Sequence, residues 1–305
     1  MENNYNAENQ PVETPPAAGV KKRRSPFPSW YDYLVLALLF VISQLVLGFV
    51  AMKCGYTPDL GSETPAPAVD VHDFHDTAMN AVARSTALGY IAGMVSMIVM
   101  TLIYRRLRGG HGRVARFSPQ GFDPSLLLEG FIVLLAANIV VEPLVQLLPG
   151  VPDYENVLGR GGWALLSTVI CAPIFEEFIF RGIILESTRH RFGVIAAWLI
   201  SSLCFGLAHG LPAQMTAAGV IGLVLGYVYI RSGSLFSGIV LHALNNALAM
   251  LLLILGLGDK VLSELVGPKT YMAIYAVSAV ILLWWVVGAC RTLRRIRRTE
   301  RDASY

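Results

Sequence analysis

Glu176 and Glu177 are adjacent, and Glu177 stands four residues before Arg181; Phe205 likewise precedes His209, and His242 precedes Asn246, by four. Each group lies within or at the end of an apolar stretch long enough to cross a membrane. Ionisable groups at bilayer depth cost about 2.5 kcal/mol or more and need a partner or a function there. On a helix, adjacent side chains point about 100° apart, while residues four apart share a face. Glu177 and Arg181 therefore pair along one side, and Glu176 is aimed elsewhere, free to act as a general base. His242 and Asn246 share a face and offer two hydrogen-bond donors to one point, the arrangement that an oxyanion needs. Each group also has a structural explanation: a buried polar network for the glutamates and Arg181, a helix-end packing role for His209, and polar contacts between helices for His242 and Asn246. Occurring together, they favour a reaction centre.

The elements that position these residues are membrane helices. Hydrophobic residues make up 54% of the 305 and charged residues 15%, with a mean hydropathy of +0.55, against about 25% charge in a soluble domain. About 20 apolar residues span a hydrocarbon core as helix. Eight stretches qualify as candidates: 33–52, 86–104, 124–148, 163–185, 193–208, 213–230, 235–257 and 271–290. The expected fold is an all-α polytopic bundle of about eight transmembrane helices, with a catalytic cavity inside it. It comprises a disordered cytoplasmic tail over 1–29, a membrane domain over 30–290 and a basic cytoplasmic tail over 291–305. With the amino terminus in the cytoplasm, eighteen of the 24 Lys and Arg residues fall on the cytoplasmic side and five outside, with Arg181 inside a span. That bias follows the positive-inside rule and puts both termini in the cytoplasm. The first span is too long for a signal-peptide core and lacks a small-x-small cleavage site, so it is expected to remain as an anchor.

The net charge of +3 is thus a topology signal. No phosphate-binding glycine loop, zinc-finger spacing or aromatic-interleaved basic patch points to nucleic acid. Cys54, Cys171, Cys204 and Cys290 show no close pairing and read as small apolar residues. The largest external loop, 55–84, is acidic; His72 and His75 beside Asp70, Asp73 and Asp76 could hold a metal weakly, although a solvated loop accounts for them. A proton relay through Glu129, Glu142 and Glu176 would suit a transporter, but no internal repeat supports one.

Glu-Glu-x-x-x-Arg, then Phe-x-x-x-His, then His-x-x-x-Asn, in successive membrane helices, resembles the CAAX prenyl endopeptidase and bacteriocin-processing (CPBP, or Abi) family of intramembrane proteases. The resemblance covers residues 120–255, and every defining position is matched. It implies that Glu176 is the base that activates water, that His209 holds and polarises that water, and that His242 and Asn246 stabilise the oxyanion. Glu177, Arg181 and Phe205 would support the site. Asn245 is expected on a different face from Asn246. Relatives have been described both as metalloproteases and as metal-independent glutamate proteases. Glu176, His209 and His242 would be the ligand set if zinc is used, although no His-Glu-x-x-His occurs; the metal-independent form is the favoured reading.

The expected partner is a peptide or membrane-protein substrate, reached laterally or from the cytoplasm, and the expected location is the cell membrane. His209 lies sixteen residues after Gly193, about 24 Å along a helix, which is deeper than mid-membrane. Irregular backbone at that depth must line a cavity or be buried in protein, so a wet cavity is expected beside it. A non-catalytic scaffold or immunity protein that keeps the motifs is the competing reading.

Overall fold

The computed structural model describes residues 27–55, 77–110, 114, 121–149, 161–258 and 260–302. The described secondary structure is helical: α1 (Trp30–Lys53), α2 (Thr77–Leu107), α3 (Pro124–Gln146), α4 (162–192), α5 (Val194–Leu207), α6 (Pro212–Ser232), α7 (Leu235–Ile254), the short α8 (Leu262–Val266) and α9 (Pro268–Asp302). Six of these, α1, α2, α3, α6, α7 and α9, are long and apolar enough to cross a membrane. The other two expected spans correspond to α4, whose backbone changes register along its length, and to α5. At 14 residues, α5 reaches about 21 Å, less than the roughly 30 Å of a hydrocarbon core. Leu34, Leu38, Leu45 and Phe49 on α1, and Val280, Leu283 and Trp284 on α9, face outward and exposed. Such apolar belts on helices whose backbone bonds are internal suit lipid as solvent. The chain is an all-α, polytopic integral membrane protein.

Several helix ends are fixed by local chemistry. The Asp123 side chain accepts hydrogen bonds from the Ser125 and Leu126 amides, with Pro124 in the first helical position of α3. Ser234 caps α7 through the Phe236 amide. Gly233 closes α6 in the left-handed conformation, which glycine adopts without a Cβ penalty. Two boundaries differ from expectation. α2 begins at Thr77, so residues 77–84 of the expected loop are helix, while the acidic and histidine positions from Asp59 to Asp76 lie outside the described residues. α9 continues past Cys290 to Asp302, because Leu293 is buried in the core and Glu300 pairs with Arg189 at 2.6 Å. Of the expected amino-terminal tail, 1–26 lies outside the described residues.

α4 holds the main surprise. Its ordinary helical turns are interrupted by two π-helical segments, Leu166–Cys171 and Phe178–Leu185. In the first, the Ala172 amide donates back to the Ser167 carbonyl, a five-residue step. The next amide position is Pro173, which has no N–H to give. The carbonyl of Thr168 is thereby released from the helix ladder. Such π-segments often accompany functional sites.

The packed core lies toward one end of the bundle. Leu126, Leu127, Leu185, Val194, Ala197, Trp198, Leu225, Leu235 and Trp285 are among its buried members. α5 and α6 approach closely at their glycines: a Cβ on Gly206 would lie 2.7 Å from the Met215 carbonyl oxygen. Small residues allow such contact between membrane helices, and here the contact holds Phe205 and His209 at the inner wall of a cavity.

Candidate active site

Glu177 and Arg181 are both fully buried, and one turn of α4 brings them together. Arg181 Nη1 donates to Glu177 Oε1 at 2.7 Å. The same oxygen meets His242 Nδ1 of α7 at 3.1 Å. Arg181 Nη2 donates to the Gly222 carbonyl at 3.0 Å, and its guanidinium lies over the Phe205 ring, 4.6 Å from the centroid. A buried charge is tolerated when it is paired and hydrogen-bonded, and this guanidinium meets a carboxylate, a carbonyl and a π-face. Ionised carboxylates only accept hydrogen bonds, so Nδ1 of His242 carries a proton and Nε2 is left facing the cavity.

Glu176, about 100° away on the helix, turns to the other side. Its Oε1 accepts from the Tyr90 hydroxyl of α2 at 2.8 Å, and its Oε2 lies 3.8 Å from His242 Nε2. His209 Nδ1 contacts the Phe205 carbonyl at 2.8 Å. A carbonyl only accepts, so the proton sits on Nδ1 and a lone pair on Nε2. Phe205 packs edge-on against both imidazoles, with centroids 4.9 Å from His209 and 5.6 Å from His242. Asn246 Nδ2 donates to the freed Thr168 carbonyl at 2.9 Å, so the π-segment of α4 orients the amide and leaves its second N–H available. These groups line a cavity of about 540 Å³ that includes Tyr90, Asn138, Thr168, Glu176, His209, His242, Asn245 and Asn246.

All seven residues singled out by spacing are thus brought together: Glu176, His209, His242 and Asn246 face the cavity, Phe205 borders it, and Glu177 and Arg181 lie behind His242. The face-sharing argument for Glu177 and Arg181 is realised in atoms. Asn245, on the neighbouring face of α7, also reaches the cavity. It accepts from Asn138 Nδ2 at 3.1 Å and donates to Asn246 Oδ1 at 3.4 Å. The cavity is wide enough to be bordered by two faces of α7. Glu129 and Glu142 do not line it; Glu142 instead accepts the Leu262 amide at 2.8 Å, which removes the geometric basis for a relay through Glu176.

Two contributors were missed by motif spacing. Tyr90 lies outside the segment that carries the motifs, and nothing local marks a tyrosine as a carboxylate partner. Gly238, one turn before His242, leaves the space that the Glu177 carboxylate fills: a Cβ there would lie 2.9 Å from Oε2. Its one legible signal is a glycine on the face of α7 that carries His242. Gly238→Ala is expected to displace Glu177 from His242 and to destabilise the protein by about 1–3 kcal/mol, read as a lower melting temperature in detergent. An unchanged melting temperature would show that the carboxylate has room to retreat.

The zinc set does not assemble. Among the described residues, no group of three or more His, Cys, Asp or Glu side chains is arranged to hold a metal ion. Glu176 and His242 approach one another at 3.8 Å, and His209 is held through Nδ1 by the Phe205 carbonyl.

Residues 159–248 match the family described as Type II CAAX prenyl endopeptidase Rce1-like. A Bacillus subtilis (strain 168) protein named "Putative membrane peptidase YdiL" is 27% identical over 169 residues, covering 53% of this chain and 69% of that protein. An Escherichia coli protein described as "Uncharacterized 24.3 kDa protein" is 36% identical over 127 residues, 40% of this chain and 56% of that relative. No solved structure matches the chain. The matched segment holds Glu176, Glu177, Arg181, Phe205, His209, His242 and Asn246, and through it the chain is similar to the CAAX prenyl endopeptidase and bacteriocin-processing family.

Proposed function

We propose that the protein is a membrane-embedded endopeptidase in which Glu176 activates the attacking water. The observation that carries this reading is the placing of Glu176 against His242, 3.8 Å apart, in a cavity shared with His209 and Asn246. The Tyr90 hydroxyl holds one oxygen of Glu176, leaving the other for a water molecule. His209 Nε2 accepts one hydrogen of that water and fixes its lone pair toward the substrate. Glu176 takes the other proton as the oxygen attacks the peptide carbonyl carbon. The carbonyl electrons move to oxygen, and the resulting oxyanion receives hydrogen bonds from the second N–H of Asn246 and from His242 Nε2.

With Nδ1 held by Glu177, His242 donates from Nε2 when the ring carries both protons. Glu176 then returns its proton to the leaving nitrogen as the C–N bond breaks, and the products are a carboxylic acid and an amine. Every step uses this chain's side chains, and the mechanism is metal-independent.

Purified wild type in detergent is expected to cleave members of a membrane-peptide library with or without a chelator. Activity abolished by the chelator and restored by zinc would overturn the metal-independent mechanism while leaving the peptidase. No cleavage by folded protein across a broad library would favour the scaffold reading. Asn246→Ala is expected to lower kcat by about 100-fold or more, with the larger part of the loss in kcat and not KM; a mild effect would assign Asn246 to helix packing against Thr168.

A further inference from the structure

The cavity occupies one half of the bundle, and that half is identifiable. Its lining comes from Thr86 and Tyr90 near the start of α2, Ser167 and Thr168 near the start of α4, His209 after α5, Gln214 near the start of α6, and the α7 end with Leu257, Gly258 and Lys260. Gly258 and Lys260 are exposed, which marks the mouth. All these helix ends lie on the side opposite the start of α1 and the end of α9.

The other half is closed. Leu126, Leu185, Val194, Trp198, Tyr229 and Leu235 pack there into the main core. Beyond them, ion pairs and hydrogen bonds tie helix ends together: Arg189 to Glu300 at 2.6 Å, Tyr229 to Glu186 at 2.7 Å, and Arg108 to Asp32 at 2.8 Å. Among the described residues, none from these arginine-bearing ends lines the cavity.

The charge distribution gives the two halves an orientation. The closed end carries Arg105, Arg106, Arg108, Arg189, Arg191, Arg231 and the arginines of the last turns of α9; the mouth end carries Lys53, Arg84, Lys260 and Lys269. By the positive-inside rule the closed end faces the cytoplasm.

We propose that the cavity opens to the extracytoplasmic side, and that its substrate is a polypeptide segment presented at the outer surface of the membrane. This rests on the peptidase reading for the word substrate, though not for the direction of the opening. It replaces the expectation of access from the cytoplasm. A soluble or lipid-anchored cytoplasmic tail would have to pass the packed half of the bundle to reach Glu176, whereas a segment arriving from outside meets Lys260 and Gln214 first.

The direction is tested by cysteine labelling in intact cells. In a background with Cys54, Cys171, Cys204 and Cys290 changed to Ala, Lys260→Cys reports the mouth and Arg294→Cys the closed end. A membrane-impermeant maleimide is expected to label Lys260→Cys in intact cells and Arg294→Cys only after permeabilisation. The reverse pattern overturns the proposal. If the cysteine-free protein does not fold, antibody access to a carboxy-terminal tag on the wild type gives the same answer, with access only in everted vesicles expected. A membrane-impermeant peptide from the cleaved set should then be hydrolysed by right-side-out vesicles and spared by everted ones. Cleavage by everted vesicles alone would overturn the proposal. Outside labelling without cleavage in either orientation would uphold the opening and count against the peptidase.

Discussion

Glu176→Gln is expected to lower kcat by about 10²–10⁴-fold, the range assigned to a general base, with the fold intact. The substitution keeps the volume of the side chain and an oxygen that can accept from Tyr90, now at 2.8 Å, but removes the group that takes the proton from water. KM should change little, because substrate binding does not use that proton transfer. Peptide cleavage measured over a range of substrate concentrations, beside a melting curve in detergent, separates the two quantities. A variant that turns over at the wild-type rate would remove Glu176 from the base role, and His209, whose Nε2 lone pair faces the same cavity, would be next in line. His209→Ala in the same assay is also expected to abolish turnover with the fold retained.

Arg181→Ala is expected to have the largest effect on stability. The guanidinium is wholly buried and holds Glu177, the Gly222 carbonyl and the Phe205 ring at once. Its removal leaves the Glu177 carboxylate buried beside His242 with no permanent positive charge, and breaking a buried pair in this way costs about 3–5 kcal/mol. Thermal unfolding in detergent should show a large fall in melting temperature, with loss of activity following from displacement of His242. Replacing both partners with apolar residues, Glu177→Leu with Arg181→Met, should recover much of the stability, because no uncompensated charge remains. It should not recover catalysis, since Nδ1 of His242 would lose its carboxylate. Single and double variants of equal stability would show that the pair is not the anchor proposed here.

These expectations draw on different sources. The four-residue spacings determined which side chains share a helix face: Glu177 with Arg181, Phe205 with His209, and His242 with Asn246. Helix geometry makes that a local property, so it can be read without knowing the fold. The length and hydropathy of the stretches likewise determined that the chain is a membrane-spanning helical protein, because lipid accepts little else. The arginine asymmetry carries an expectation of orientation, because that signal is a sum over loops and not a matter of contacts.

Other features required the tertiary structure. Tyr90 reaches Glu176 across 86 residues of sequence, and only helix packing brings α2 against α4. Gly238 matters for the oxygen of Glu177 that it leaves room for, a relation between two helices. Asn245 and Asn246 lie on different faces of one helix, as the spacing requires, but only the packed structure shows that the cavity borders both. The first π-segment of α4 depends on backbone register, and beside Pro173 it leaves free the Thr168 carbonyl that holds Asn246. The cavity's opening away from the arginine-rich ends was likewise undetermined by sequence, since a motif names the groups that meet but not the side from which they can be reached. Local periodicity and composition are written along the chain, whereas the void between helices exists only once their side chains have filled the rest of the space.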